Sequence, residues 1–223
     1  MYLYELRKRD DLSLQERADI AAKMLRAGRY NHDTTRHHMV CDFADSSRSN
    51  GNLLYADLGD ILLVQSDIAL NPEIIHKYGY YIQSTQDVEQ MLQKIEQGDE
   101  ICIRTILNPT KAMPGKKNNR KCSLTDIQER QNWIIRKFHA AGLTPLQLGE
   151  RKLPSVTLSH KDRNGKRHQG NIYPYAYKGI VRVDDTKKLM DAVHQGIGRG
   201  KSYGCGLILV ERPQEKKDDL HYD

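Results

Sequence analysis

The segment HQGIGRGKSYGCGLILV, residues 194–210, predicts the last elements of the fold: the end of a helix, a glycine-rich loop and a final strand. Five glycines lie within the eleven positions from Gly196 to Gly206, and Arg199 and Lys201 stand among them. Glycines let a backbone approach a ligand closely and let several N–H groups point in one direction. With two cations added, the pattern predicts a loop that binds a chain of phosphates. Residues 196–206 are called the glycine loop below.

The glycine loop departs from the known nucleotide-binding motifs. A P-loop would need a glycine at position 195, which is Gln195. A dinucleotide fingerprint that starts at Gly196 would need a glycine at Lys201, and one that starts at Gly198 would need it at Tyr203. Both motifs also require a strand before the loop and a helix after it.

The elements around the loop come in the opposite order. Asp185 is a typical N-cap for a helix over residues 186–195, and Gly196 ends that helix. Residues 207–210 then form a final strand. This order favours a polynucleotide backbone over a nucleotide as the ligand. An ordinary helix-to-strand turn with spare glycines remains the alternative.

Composition and charge narrow the class of protein. The 223 residues suffice for one large domain or for two of about 100 residues each. Lys and Arg number 35 against 29 Asp and Glu, and the net charge of +6 suits an anionic partner. No apolar run reaches the roughly 18 residues of a membrane-spanning helix, and residues 1–6 do not resemble a signal peptide, so a cytoplasmic protein is expected. The four cysteines form no CxxC pair, which predicts reduced thiols and no zinc site.

Residues 1–107 have the pattern of a ferredoxin-like domain of the α+β class. Alternation of Met39, Cys41 and Phe43 with polar residues favours a strand over a helix at 36–43. Residues 53–58 are interpreted as a short extended insertion. The other predicted elements are a strand at 1–6, a helix at 14–27 with a capping box from Ser13 and Glu16, a strand at 61–66, a helix from 84 or 85 to 97, and a strand at 100–107.

The rest of the chain predicts a second ferredoxin-like domain at 124–211, so the expected fold is two such domains in tandem. A basic linker at 108–123 precedes it, and a charged tail at 212–223 follows it. The second domain opens with a helix at 124–141 that Ser123 caps. Residues 143–183 are strand-like and contain a basic hairpin at 161–168 whose turn is Asn164-Gly165.

Two stretches carry a resemblance to a known family. Residues 179–183 (GIVRV), the helix after them and residues 196–207 (GIGRGKSYGCGL) are similar to the C-terminal part of the CasE family. Residues 104–111 (RTILNPTK) resemble the central strand of that family and the Asn-Pro turn after it. The family comprises the CRISPR-associated endoribonucleases of type I-E systems, within the RAMP superfamily of RNA-binding proteins. The resemblance covers nearly the whole chain.

The resemblance implies an activity and its partners. Members of the family cut the CRISPR precursor RNA at the base of each repeat hairpin and stay on the 3′ hairpin of the crRNA as a subunit of the Cascade complex. Their chemistry uses no metal or other cofactor: the ribose 2′-OH attacks the adjacent phosphate and leaves a 2′,3′-cyclic phosphate and a 5′-OH. The alternative is a non-catalytic subunit that binds the crRNA handle without cutting.

The catalytic residues depart from the family pattern. The family usually places a catalytic His in its first helix, with a Lys farther along that helix in some members. The first helix here contains no histidine, whereas Lys23 matches the Lys. In a strand over 36–43, His37 and His38 would face opposite sides of the sheet, so that one of them could reach the RNA. His37, His38 and Lys23 are therefore the predicted catalytic residues, with ordinary surface roles as the alternative for each.

Cations and glycines are predicted to contact the RNA. A basic hairpin suits an RNA stem, because A-form RNA is recognised mainly by its shape and its phosphates. A solvated linker and an exposed basic turn are the alternatives. The predicted RNA-binding residues are Lys111, Arg120 and Lys121 of the linker, Lys161, Arg163, Lys166 and Arg167 of the hairpin, and Gly196, Gly198, Arg199, Gly200 and Lys201 of the glycine loop.

Overall fold

Two four-stranded antiparallel sheets form the framework of the protein. The computed structural model describes residues 1–28, 32–113, 121–161 and 167–211. The first sheet has the strand order β2-β3-β1-β4. Its strands are β1 (Tyr2–Lys8), β2 (Leu54–Asp57), β3 (Ile61–Ser66) and β4 (Tyr80–Asp87).

Four helices accompany the first sheet: α1 (Leu14–Gly28), α2 (His32–Phe43), α3 (Pro72–Lys77) and α4 (Val88–Leu92). The predicted capping box begins α1. The Ser13 backbone N–H donates to the Glu16 carboxylate at 2.8 Å, and the Glu16 N–H donates to the Ser13 hydroxyl at 3.2 Å. These bonds satisfy N–H groups that have no partner inside the helix.

The strand predicted at residues 36–43 is wrong, because this segment lies in α2. Its buried side chains recur at positions i, i+3, i+4 and i+7 on one helix face: Arg36, Met39, Val40 and Phe43. The apolar members pack with Leu6 of β1 in one core cluster. Met39 and Phe43 also belong to the alternating pattern, so this short segment fits the period of a helix and the period of a strand. Cys41, the third residue of that pattern, is only partly buried.

Two further predictions near the first sheet are wrong. Residues 84 and 85 belong to β4, where they pair with β1, so the predicted helix shrinks to α4, whose N-cap is Asp87. Sheet pairing outweighs the local helical spacing here. The segment 53–58 is not an insertion either, because β2 within it pairs with β3 and forms an edge of the sheet.

The second sheet has the order β12-β5-β11-β8, which repeats the arrangement of the first. Its strands are β5 (Glu100–Leu107), β8 (Leu143–Lys152), β11 (Tyr175–Val183) and β12 (Ile208–Glu211). The helices α5 (Ile127–Ala140) and α6 (Thr186–Gln195) belong to it. Asp126 rather than Ser123 caps α5, and Asp185 caps α6 as predicted. Both units have the ferredoxin-like order of elements, which confirms the predicted fold class.

The strand at 100–107 lies in the second sheet, not the first. It pairs with β11 on one side and with β12 on the other. The strand that completes the first sheet is β4 instead. The first unit therefore ends before β5, whereas the sequence placed this strand at the end of the first domain.

Two short hairpins lie outside the main sheets. Within the predicted linker, β6 (Thr110–Ala112) pairs with β7 (Lys121–Ser123). Inserted between β8 and β11, β9 (Val156–Lys161) pairs with β10 (Arg167–Ile172), which gives the predicted basic hairpin its two arms. The turn Asn164-Gly165 lies outside the described residues.

Apolar side chains join the two units. Leu54, Ala56 and Leu63 of the first unit form one buried cluster with Leu207 of the second. The Gln65 side-chain amide, itself buried, donates to the carbonyl of Val193 at 2.9 Å. This contact joins α6, which leads into the glycine loop, to the first sheet. Within the described ranges, no helix combines the length and the apolarity needed to cross a membrane.

Candidate nucleic-acid interface

The glycine loop is closed on itself. The Ile197 N–H donates to the Gly206 carbonyl at 2.9 Å, and the Gly206 N–H donates to the Ile106 carbonyl at 2.7 Å. Gly196 ends α6 with a φ of 70°, and a Cβ there would lie 2.8 Å from the Gly206 carbonyl oxygen. Gly198 packs against the Trp133 ring, which a Cβ would meet at 3.3 Å. Internal packing therefore requires some of the glycines that the sequence assigned to ligand contact.

The two cations of the loop lie in different surroundings. Arg199 is exposed and forms a backbone bridge with Asn108, so the two stretches that carry the family resemblance are neighbours in space. Lys201 begins a single turn of 3₁₀ helix, Lys201–Tyr203, and is partly buried. Burial lowers the pKa of the Lys201 ammonium, and the positive charges of Arg48 and Lys137 lower it further. Lys201 thus belongs to a cluster of like charges.

His37 lies on α2, which contacts the 3₁₀ turn of the glycine loop. Its side chain is partly buried, and the rings of His37 and His38 have centroids 5.7 Å apart. Burial lowers the pKa of His37, and the nearby His38 and Arg48 add to this shift. His37 is therefore mainly neutral at pH 7. Consecutive positions of a helix lie about 100° apart, so the two histidines do not face opposite sides as a strand would place them.

Arg48 connects these two environments, since it acts on both His37 and Lys201. It lies in a turn closed by the Leu53 N–H, which donates to the Arg48 carbonyl at 2.9 Å. Lys137, on α5, places its ammonium 5.7 Å from the centroid of the Trp133 ring. Sequence reasoning missed both cations. Neither stands in a motif: Arg48 is one of several polar residues in a loop, and Lys137 is one of several charges on a helix.

The basic hairpin approaches the same place. Its first arm, β9, contacts α2, which also contacts the 3₁₀ turn. Cross-strand pairing sets Lys161 opposite Arg167 near the tip of the arms. Arg163 and Lys166 lie outside the described residues, and so does the side chain of Lys23 on α1. The hairpin, α2 and the glycine loop therefore meet around one region, which we call the inter-unit site.

The predicted linker cations lie elsewhere. Lys111, on β6, pairs with Glu129, and this hydrogen bond raises the pKa of Lys111. Its charge is thus already compensated within the protein. Lys121 lies on β7 and is exposed, and Arg120 lies outside the described residues. The structure does not bring these residues to the His37–Lys201 cluster in the ranges that it describes.

The inter-unit site has the chemical groups that cleavage of a phosphate ester requires. A neutral imidazole can accept a proton, and a protonated one can return it to a leaving oxygen. The cations Arg48, Lys137 and Lys201 can stabilise the charge that develops on a pentacovalent phosphate. A partly buried site strengthens such interactions because less water screens them.

Comparisons with known proteins find relatives in one family. The model of a family described as CRISPR associated protein matches residues 1–212. The Cascade subunit CasE of Escherichia coli K12 is 30% identical over 110 residues, which make up 48% of this chain and 52% of that protein. The match thus spans about half the length of this curated relative.

Solved structures share the fold over nearly the whole chain. The CRISPR endoribonuclease Cse3 bound to a 19-nucleotide RNA has a TM-score of 0.70 at 18% identity, with 94% of this chain and 99% of that chain covered. The CRISPR-associated protein Cas6e of Escherichia coli K-12 has a TM-score of 0.63 at 19% identity, with 96% and 100% covered. At these identities the likeness establishes a common architecture.

Proposed function

This chain belongs to the CRISPR associated protein family, and we propose that it is an endoribonuclease that cuts CRISPR precursor RNA at the base of the repeat hairpin. We further propose that it stays on the 3′ handle of the crRNA as a Cascade subunit. A solved relative is named as a CRISPR endoribonuclease bound to RNA, and another relative is named as a Cascade subunit. The observation that carries the proposal is the contact of α2, which bears His37, with the 3₁₀ turn of the glycine loop, which bears Lys201, with Arg48 acting on both side chains.

The proposed reaction is a transesterification within the RNA. The ribose 2′-oxygen attacks the adjacent phosphorus, its proton passes to a base, and the bond from phosphorus to the 5′-oxygen breaks. The leaving 5′-oxygen takes up a proton, so the products are a 2′,3′-cyclic phosphate and a 5′-OH. No metal ion takes part in the proposed steps.

His37 is the proposed base for the 2′-OH proton. Its lowered pKa keeps the imidazole neutral at pH 7, which is the state that accepts a proton. Arg48 acts on the charge of both His37 and Lys201, and the two cations would stabilise the phosphate in the transition state. His38 follows it on α2 and is more exposed, so it serves as the comparison residue. Lys23 stays a prediction from the family pattern.

The hairpin and the glycine loop form the proposed RNA-binding surface. The arms β9 and β10 carry Lys161 and Arg167, and the loop carries Arg199 and Lys201. Contacts of this kind are made to phosphates and are independent of sequence, which suits a stem recognised by shape.

The test is to incubate the protein with its own repeat RNA in the presence of EDTA. The proposal expects one cut at the base of the hairpin, with a cyclic phosphate on the upstream product and a 5′-OH on the downstream product. His37→Ala should lower the single-turnover rate by roughly 10²- to 10⁴-fold, the usual contribution of a general base. His38→Ala, the matched control, should cut at nearly the parent rate. No cleavage in EDTA, or equal loss in both variants, would contradict the proposed chemistry.

A second function is favoured by one observation: α1 contains no histidine at all. The chain would then hold the crRNA handle without cutting it. Tight binding of the repeat stem with no product after prolonged incubation would establish this alternative. Slow cleavage that His37→Ala leaves unchanged would instead indicate catalysis by positioning and phosphate stabilisation alone.

A further inference from the structure

A cavity of about 260 Å³ opens beside the 3₁₀ turn of the glycine loop. Several separate parts of the chain line it. The first unit contributes Arg36 of α2 and Asp57 of β2, the base of the basic hairpin contributes Val156, and the glycine loop contributes Tyr203. The cavity therefore lies between the two elements proposed to hold RNA, and its occupant would be in reach of both.

The first unit supplies the polar side of this cavity. Arg36 is 8% exposed, donates through Nη1 to the Tyr80 hydroxyl at 2.6 Å, and pairs through Nη2 with Asp57 at 2.8 Å. Its Nε–H is buried and has no acceptor among the residues that the structure describes. A buried donor without an acceptor is unfavourable by roughly 1–3 kcal/mol, so one hydrogen bond of Arg36 stays unmade beside the cavity. Asp57 beside it can accept a hydrogen bond.

The opposite walls are apolar and flat. Pro154, Val156 and Pro174 come from the base of the hairpin, and Ile106 comes from β5. Tyr203 is partly buried and also lines the space. The position of the turn that carries it is fixed, because the Tyr55 hydroxyl donates to the Ser202 carbonyl at 2.8 Å. Such walls suit a planar ring that is polar at its edge.

We propose that this cavity binds one unpaired nucleobase of the repeat RNA, next to the base of the stem. The base stacks against Tyr203 and the prolines, and its polar edge meets the Arg36–Asp57 pair that borders the cavity. Every nucleobase has a π-face and carries hydrogen-bonding groups along its edge. The site thus adds an anchor that reads a single-stranded nucleotide, whereas the hairpin and the glycine loop hold phosphates. This proposal rests on the proposed function, since it requires that the repeat RNA binds here.

The test is an abasic scan. Each unpaired nucleotide that flanks the repeat stem is replaced in turn by an abasic one, in RNA with a 2′-deoxy group at the cut so that it stays intact. One position should lose affinity by roughly 5- to 100-fold, the size of a base–aromatic stacking contact. If every abasic RNA binds as tightly as the parent RNA, the proposed base site is refuted.

The protein side of the test fills the cavity. Val156→Trp, at the partly buried start of β9, should remove the abasic penalty to within about twofold, because the base no longer enters. Val156→Thr keeps the size of the side chain and should retain the penalty. Tyr203→Leu, with Tyr203→Phe as its control, tests the stacking wall independently if the tryptophan variant fails to fold. An abasic penalty that persists unchanged in Val156→Trp or Tyr203→Leu overturns the proposal.

Failure of the proposed function gives a different result. If the parent RNA neither binds nor is cut, the endoribonuclease proposal fails and the base site fails with it. If the parent RNA binds and is cut at the stem but no cavity variant changes the abasic penalty, the base site alone is refuted.

Discussion

Gly206→Ala should destabilise the fold by about 2–5 kcal/mol. Gly206 has a φ of 94°, a conformation that an L side chain adopts at roughly 1–2 kcal/mol. The added Cβ would also lie 2.9 Å from the Ile197 carbonyl oxygen, so the loop must shift at a further cost of about 1–3 kcal/mol. Gly200 is the matched control. Its φ is 88°, but its Cβ would meet Cys205 at an ordinary 3.4 Å, so Gly200→Ala should cost only about 1–2 kcal/mol.

Urea unfolding of the two variants measures the difference, which should be about 1–3 kcal/mol in favour of Gly200→Ala. The folded Gly200→Ala protein also tests the second reason for a glycine, close approach to the RNA, because it keeps the internal packing. Its affinity for the repeat stem should fall if the backbone at this position touches the ligand. If Gly206→Ala proves as stable as Gly200→Ala or more so, internal packing does not explain why residue 206 is glycine.

Three further outcomes are expected. The cleavage rate should fall about tenfold per pH unit below a midpoint under 6.5, because the pKa of His37 is lowered. Arg48→Gln should move this acidic side of the pH–rate profile to higher pH, because the positive charge of Arg48 contributes to the lowered pKa. If the acidic side of the profile does not move, Arg48 is not part of the site. Replacing Lys161 and Arg167 together by Gln should weaken RNA binding and reduce the slope of log affinity against log salt by roughly 2, and an unchanged slope would place the RNA elsewhere. Arg130→Met should lower the free energy of unfolding by about 1.5–3 kcal/mol, because it removes the charge-assisted hydrogen bonds from the buried Arg130 to Glu150, one of them at 2.7 Å, while Tyr177 still donates to that carboxylate; denaturant unfolding measures this, and a loss under about 0.5 kcal/mol would contradict it.

Local signals predicted the end of the chain well. Asp185 caps α6 by accepting from the Lys188 N–H, and Gly196 ends that helix with a positive φ. Both signals act within one helical turn, so the surrounding fold does not need to be known. The capping box of Ser13 and Glu16 is a second example from the other end of the chain.

Predictions failed where the local pattern of a segment suited both a helix and a strand. Over residues 36–43 the apolar positions suit an alternating strand and a helix alike, and only packing against the first sheet selects the helix α2. The apolar spacing after residues 84 and 85 favours a helix, but both residues pair with β1 and therefore belong to the strand β4. In both segments the deciding partner lies more than 20 residues away in sequence.

Local signals along the chain predicted the order of most elements, the ferredoxin-like class of both units, the glycine loop and the family. These depend on caps, periodicity and motif residues, which act over short stretches of chain. The charges that surround that loop are set by the packing of the two units against each other. Arg48 and Lys201 stand in different units, and they become neighbours because buried contacts such as that of Leu54 with Leu207 hold the units together. Long-range packing sets that proximity, so the position of either residue in the sequence does not predict it.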